Sequence, residues 1–582
     1  MSADRTTGPR TQPDDGGRLA VYVCQCGGNI GDYVDTERVI DAVKGLPGVC
    51  VARHAMFTCS DTNQQEMIDD VAREHLDGFV VACCSPKLHT FTFRGVAGRA
   101  GVNPYRVTQV NIREQCSWTH TDDPGGATRK AIRLVTAGVA RARLTEPLEP
   151  IEVPTTARVA VIGGGVAGMR AAIGLADVGL DVCLIERDAA LGGHVRELGE
   201  LFPRRVDGRA LVERMQLEIA RRTAIEVHTN ARVVAKSGTY GDYTITIAEG
   251  DERTDERVGQ IIVTTGFDSY EPPEGEFGYG SPGVVTLPQL RRLLDDTQGP
   301  IVHDGRPVRS VAYLYCVGSR VPDRAYCSRY CCSAAVHASL LVAERDPEIR
   351  QYHLYRDMRT YGRNEVLFTE SRERGSYYVR FADDDPPDVA VEDGRIRVTV
   401  HDLLTAGEEL TIRPDLLVLV TGMVPRQNDE LVGVLKLPIG RDGFFNEIHP
   451  KLRPVETVVD GVLIAGACQS PKTSAESVGS GLAAAAQAAA VLKCGIASLD
   501  PQVAIVDTAR CDGCGECLAV CPFGAIELHR GDGGPVATIV AAGCKGCGAC
   551  APACPTSAID LQGYTDAEVR ATIVGLLTEV AP

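Results

Sequence analysis

The chain has 582 residues, 22 of them cysteines, and eight of these cysteines carry a regular spacing that can do chemistry. Cys511, Cys514, Cys517 and Cys521-Pro522 form C-x2-C-x2-C-x3-C-P, and Cys544, Cys547, Cys550 and Cys554-Pro555 repeat it. Two-residue spacers let three thiolates converge on one 4Fe–4S cube, and in such runs the fourth cysteine ligates the other run's cube. Cys511, Cys514, Cys517 and Cys554 are therefore assigned to one cube, and Cys544, Cys547, Cys550 and Cys521 to the second. The glycines of Cys511-Asp-Gly-Cys-Gly and Cys544-Lys-Gly-Cys-Gly let the backbone wrap closely around inorganic sulfur. Zinc and disulfides are the competing uses of such residues. Zinc sites ordinarily show two C-x2-C pairs, not two triplets trailed by C-P. The chemistry implied is transfer of single electrons.

A second constellation is built of glycines. Arg158-Val-Ala-Val-Ile-Gly163-Gly164-Gly165-Val-Ala-Gly168 reads as strand, turn and helix. In that pattern Gly163 makes the tight turn, Gly165 lets the backbone approach a pyrophosphate, and Gly168 lets the helix pack on the strand. The helix N-terminus offers unpaired N–H groups and a positive dipole end to the phosphates. An Ala-rich helix, Met169–Val178, and a strand, Asp181–Ile185, follow. The strand ends at Glu186, about 20 residues on, where a ribose 2′-hydroxyl needs an acceptor. Later segments favour FAD over NAD. Leu191-Gly192-Gly193-His194 is similar to the loop beside the flavin in two-dinucleotide-binding flavoproteins. Thr265-Gly266 and Thr421-Gly422 are similar to their strand-ending elements, and Asp460-Gly-Val-Leu-Ile-Ala465-Gly466 to their late FAD-binding strand. Many such proteins follow that last glycine with an Asp that holds the ribityl chain; this chain has Ala467. Buried strands of any α/β sheet would explain the apolar residues but not the recurring glycine endings.

A strand suited to a second nucleotide site, Arg309-Ser-Val-Ala-Tyr-Leu-Tyr-Cys316, runs into Cys316-Val-Gly-Ser-Arg320 where a G-x-G is needed for NAD(P)H. Cys327, Cys331 and Cys332 follow. Four cysteines so closely spaced suggest another 4Fe–4S site, since adjacent Cys331 and Cys332 can both reach a cluster at the start of a helix. A redox disulfide of the thioredoxin-reductase kind is the rival, but this segment has no C-x-x-C. Direct reduction by NAD(P)H is then not expected.

The elements that must hold these groups divide the chain. Residues 1–18 are polar and rich in Gly, Pro and Asp, and read as a disordered tail without a signal-peptide stretch. Residues 19–145 read as an α/β domain, with strands Leu19–Val23, Cys50–His54 and Gly78–Ala82 between helical stretches Thr36–Leu46 and Gln64–His75. Residues 146–156, with three prolines, read as a linker. Residues 157–500 form a larger α/β domain, 501–565 a ferredoxin-like α+β module, and 566–582 a closing helix. Net charge is −17, which argues against general nucleic-acid binding, since that needs a basic face. No apolar run reaches the ~18 residues of a membrane span. Many cysteines without an export signal indicate a reducing cytoplasm and metal clusters.

Further segments carry a family resemblance: Cys24-Gln-Cys26-Gly-Gly-Asn29-Ile30, Cys84-Ser-Pro86-Lys-Leu-His89, Asn111-Ile-Arg113-Glu114-Gln-Cys116-Ser-Trp118, the Cys316 set, Tyr355-Arg356-Asp357-Met-Arg359-Thr-Tyr361-Gly362 and Pro471-Lys472. With these, residues from about 19 to 560 resemble the A-type iron–sulfur flavoprotein of heterodisulfide reductase and its relatives. The resemblance implies a thioredoxin-reductase-like two-dinucleotide-binding flavoprotein domain between the N-terminal α/β domain and the two-cluster bacterial ferredoxin domain. It implies FAD, several 4Fe–4S clusters, and catalysis as part of a complex. The implied partners are disulfide-reducing B/C-type subunits, a hydrogenase or formate dehydrogenase as donor, and ferredoxin where electron pairs are split by flavin bifurcation; a homodimer within the complex is compatible with it. Several relatives carry a ferredoxin insert between the halves of the flavin domain, whereas residues 230–300 contain no cysteine. The resemblance also marks Cys26, Cys59, Cys84 and Cys116 for a further cluster, with Cys24 and Cys83 as alternates, although free cysteine is also a common small buried residue. Cys50, Cys183, Cys468 and Cys494 read as structural. Lys472 is the candidate cation beside the reduced flavin, against a solvated surface lysine as the plain alternative; His194 and Arg359 are weaker candidates. A self-contained NAD(P)H:ferredoxin-type oxidoreductase and a non-catalytic cluster scaffold are the competing functions.

Overall fold

The computed structural model describes residues 17–296, 299–531 and 534–578. Most of the expected tail, residues 1–16, and the last four residues of the closing segment lie outside these. The chain packs as two compact units, residues 1–153 with 498–582, and residues 154–497.

The first unit contains a parallel four-stranded sheet in the order Val49–Ala55, Leu19–Cys24, Gly78–Cys83, Val107–Asn111. The two central strands are apolar throughout and wholly buried, as a parallel sheet covered on both faces requires. The edge strand Val107–Asn111 is not among the strands expected from the sequence; its Thr108, Gln109 and Asn111 dilute the apolar pattern. Residues 501–565 do not stand apart from this domain, since Arg94 reaches Asp500 at 2.9 Å and Gln502 at 2.9 Å, and the Arg141 guanidinium lies 4.0 Å above the Tyr564 ring. The closing helix, Asp566–Leu577, packs on the helix Pro124–Ala142, where Gly575 faces the Ala137 backbone too closely for any side chain. Residues 146–156 are more than a linker: Leu148 is buried and Ile151–Pro154 is a strand.

The second unit holds two five-stranded parallel sheets. The first runs Ile225–His228, Asp181–Ile185, Arg158–Ile162, Gln260–Val263, Val462–Ile464. The second runs Val284–Thr286, Leu416–Thr421, Ser310–Val317, Arg350–Tyr355, Tyr377–Arg380. Each carries an antiparallel three-stranded appendage, residues 231–258 and 388–412 respectively. This is the two-dinucleotide-binding architecture expected from the glycine pattern, with the strands Arg158–Ile162 and Asp181–Ile185 at the expected positions.

Candidate functional site

The glycine turn joins the central strand of the first sheet to the helix Val166–Asp177. Gly163 has φ +110°, and a Cβ there would lie 2.5 Å from the Thr264 carbonyl oxygen. Gly168 packs against the Gly163 carbonyl with no room for a side chain. Gly165 differs: nothing lies within 4 Å of where its Cβ would be. That open space at a helix N-terminus is what a pyrophosphate needs. Glu186 accepts from the Gly164 N–H at 2.6 Å and from the Asp188 N–H at 2.9 Å, so the acid braces the turn as well as marking the strand end. The loop at Gly192 and Gly193 lies against the turn, with the Gly192 N–H bonded to Gly164 O at 2.8 Å. His194 Nε2 bonds the Phe267 carbonyl at 2.9 Å, and the two rings stand 4.6 Å apart.

Arg426 fixes the Thr265–Asp268 loop, donating to Thr265 O, Phe267 O and Asp268 at 3.0, 3.1 and 2.8 Å. It belongs to no sequence motif. Gly266 (φ +77°) faces open space, whereas Gly466 packs against Ala167. Gly422 packs instead on Ser319 and Ser328, among the loops of the second sheet. Lys472 is not a freely solvated lysine: Nζ donates to Gln469 and Ser470, both at 3.0 Å, and burial pulls its pKa below the usual lysine range while the nearby Cys468 thiol opposes that shift.

In the second sheet, Cys316 ends the strand Ser310–Val317 with φ +64°, a left-handed turn uncommon for a residue with a side chain. Cys331 and Cys332 open the helix Cys331–Arg345, and the Cys327 thiol accepts the Arg329 N–H at 3.3 Å. Burial pushes the Cys316 thiol up to about 11, with Cys332 and Cys327 adding to the shift and Arg320 and Arg356 opposing it. Cys331 donates to Cys332, which raises the first thiol and lowers the second. All four thiols of the set are thus electrostatic neighbours. Beside them, the Tyr270 ring covers Gly318, the glycine a second nucleotide would approach, and the Arg324 guanidinium lies 4.6 Å above that ring. A run of rings joins the two halves: His194, Phe267, then Tyr330 at 6.5 Å from Phe267 and one residue before Cys331.

The ferredoxin-type octet lines two pockets. Cys511, Cys514, Cys517 and Cys554 line one, of about 270 Å³ including its open mouth, and Cys521, Cys544, Cys547 and Cys550 line another of about 330 Å³. The fourth cysteine of each run thus lines the pocket of the other run's triplet. Cys521 and Cys554 occupy equivalent places after short helices, each accepting the N–H of the residue four further on, Ala525 at 3.4 Å and Ala558 at 3.2 Å. Burial alone would raise Cys554, but hydrogen bonds from Thr556 and backbone N–H groups outweigh it and hold the thiol below its usual value. Among the described residues, no three His, Cys, Asp or Glu side chains converge tightly enough to grip a single metal ion. Cys514 and Cys547, one in each set, are exposed.

In the N-terminal sheet, Cys24, Cys26, Cys59, Cys83 and Cys84 gather at the carboxyl ends of the strands. Cys59 is raised by burial and by neighbouring Cys24, Cys84 and Cys26. Arg113 Nη1 donates to Cys26 Sγ at 3.4 Å. Cys116 stands differently: it is fully buried in the core, pushed up to about 11 by burial, and no other thiol contributes to its shift. Cys24, only an alternate by its sequence motif, is the one grouped with Cys26, Cys59 and Cys84.

Residues 158–244 match the FAD dependent oxidoreductase family, and residues 510–570 match the 4Fe–4S dicluster domain family. With the two-sheet fold, these matches define an iron–sulfur flavoprotein oxidoreductase. The second of the iron–sulfur A subunits of CoB–CoM heterodisulfide reductase from Methanopyrus kandleri is 37% identical, over 89% of this chain and 92% of that protein. The A subunit of H2:CoB–CoM heterodisulfide, ferredoxin reductase from Methanothermobacter thermautotrophicus is 33% identical, over 88% of this chain and 91% of that protein. A solved T. acidophilum thioredoxin reductase is 19% identical, with a TM-score of 0.41, over 58% of this chain and 99% of that one. The chain belongs to the family of heterodisulfide reductase iron–sulfur A subunits. It is an electron-transfer component that combines flavin and iron–sulfur domains. No helix among the described residues is long and apolar enough to cross a membrane.

Proposed function

We propose that this protein exchanges electrons between a donor enzyme and disulfide-reducing partner subunits through one FAD and three to four 4Fe–4S clusters. The FAD is held by the Gly163–Gly168 turn and Glu186. Two clusters belong to the octet, a third to Cys316, Cys327, Cys331 and Cys332, and a fourth to the N-terminal thiols. FAD, when bound, interconverts two-electron and one-electron chemistry. The chain's own residues orient and tune it: Gly165 leaves room for the pyrophosphate, Arg426 holds the 265–268 loop, and Lys472 offers a cation that favours an anionic reduced flavin. The exposed edges at Cys514 and Cys547 suit electron exchange with a partner. Relatives named for H2 or formate, and for ferredoxin, support such donors and ferredoxin as a second acceptor. With no cysteine in residues 230–300, a low-potential branch would need the C-terminal module or a partner. The cysteine content favours a reducing, cytoplasmic setting.

The observation that carries this reading is the second sheet. Its nucleotide position is taken by a thiol set and by Tyr270 over Gly318. The flavin should then receive electrons through clusters, not from NAD(P)H. Mixing the anaerobic holoprotein with NADH or NADPH should leave the flavin absorbance unchanged, whereas reduced methyl viologen should bleach it. Rapid bleaching by either nicotinamide would instead favour the self-contained oxidoreductase.

A further inference from the structure

The N-terminal thiols have a guanidinium close beside them. Arg113 starts the π-helical turn Arg113–Ser117, a local widening common at functional sites. Its guanidinium is held on three sides. Nη1 donates to Cys26 Sγ at 3.4 Å, Nη2 bonds Glu114 at 2.7 Å, and the group lies 4.6 Å over the Trp118 ring. Its side chain is only 15% exposed, yet Nε has no hydrogen-bond partner, and neither has Glu114 Oε2. A buried guanidinium N–H left without an acceptor is costly. Nη1, on the Cys26 side of the group, is the N–H that the sulfurs of a cluster bound there would meet.

Resting on the reading of Cys24, Cys26, Cys59 and Cys84 as a 4Fe–4S site, we infer that Arg113 is a positioning and tuning residue that raises the reduction potential of that cluster. Reduction brings in one electron and requires no proton, so negative charge on the sulfurs increases. A charge-assisted donor stabilises that state more than the oxidised one. The backbone donors to the octet's sulfurs among the described residues are neutral N–H groups: Ala525 to Cys521 at 3.4 Å, Ala537 to Cys511 at 3.5 Å and Ala558 to Cys554 at 3.2 Å. Glu114 works against Arg113. Its carboxylate pairs with Arg113 Nη2 at 2.7 Å and so sets a negative charge beside the same thiols. Adjacent residues of opposite sign give the inference a directional test.

The test is an anaerobic redox titration of the full-length FAD-loaded protein, poised with dithionite and followed by electron paramagnetic resonance. The signal lost in Cys26→Ser identifies the N-terminal cluster. Arg113→Gln should move its midpoint negative, with the reduced-to-oxidised ratio at a fixed poise falling about tenfold, or about 59 mV for one electron. Glu114→Gln should move it positive, and Arg113→Lys should fall between Arg113→Gln and wild type, because it keeps charge without the planar fork. The octet's signals and the FAD content should not change in any of them, which reports intact folding. If Cys26→Ser loses neither iron nor signal, the N-terminal cluster itself is refuted. If the signal is assigned but both charge variants leave its potential in place, or move it the same way, the cluster stands and the role of Arg113 is overturned.

Discussion

Gly165 and Gly168 stand three residues apart in one motif, and the structure separates their roles. A side chain at Gly168 would collide with the Gly163 carbonyl, a rigid neighbour. Overpacking of that kind costs about 1–3 kcal/mol. A Cβ at Gly165 meets nothing within 4 Å, so a small side chain there harms what binds in that space and not the fold. Gly165→Val should therefore fold, keep the iron–sulfur signals and lose FAD. Flavin released on denaturation, counted per chain, checks this; a stoichiometric amount in the variant would mean that the pyrophosphate lies elsewhere. Arg426 and Tyr270 belong to the same scale. One ties three acceptors of a flavin-side loop together and the other covers Gly318. A lone arginine and a lone tyrosine carry no spacing signal, so nothing in the sequence distinguishes them from other surface or core residues.

At the scale of elements, the second sheet is the decisive part. Its central strand, Ser310–Val317, loses register near its end, and Cys316 turns left-handed there. Backbone strain of this type costs on the order of 1–3 kcal/mol and clusters at functional sites. The helix Cys331–Arg345 begins beside it and brings two adjacent thiols to its first turn. Tyr330, just before that helix, continues the His194 and Phe267 rings from the flavin side. Cys331→Ser should weaken a cluster in this set, because a hydroxyl is a poor substitute for thiolate. FAD should stay bound, since the glycine turn belongs to the first sheet. Stopped-flow reduction followed at both chromophores should show slow exchange between the flavin and the octet. Wild-type rates in a variant verified to lack the cluster would make the set structural.

At the scale of the whole molecule, the octet packs in one unit with the N-terminal thiols, through Arg94, Arg141 and the helix Asp566–Leu577. The flavin turn and the Cys316 set share the other unit. The first unit thus holds three candidate cluster sites, and the second holds the flavin site and one. The anaerobically purified protein should contain one FAD and about 12–16 irons per chain, the upper figure when all the thiol sets are occupied. About eight irons would leave the octet alone as the iron site.

Local spacing is legible without a fold wherever the ligand is held by neighbours in sequence. The grouping of the cysteine octet around two pockets and the strand-turn-helix of residues 158–177 are both readable because backbone geometry over a few residues fixes where those groups point. The strands Leu19–Cys24 and Gly78–Cys83 are readable for a related reason: continuous apolar runs have to be buried on both faces. What depends on distant segments is not readable. Cys24 gathers with Cys26, Cys59 and Cys84 while Cys116 sinks into the core, although the motifs favour Cys116. Gly422 sits with Ser319 and Ser328, although its Thr-Gly setting is the same as that of Gly266. The packing of residues 501–565 with the N-terminal domain rests on ion pairs and ring contacts hundreds of residues apart in sequence. One sequence position can belong to either side of a sheet or either end of a loop, and only the closing of the chain on itself selects which neighbours it meets.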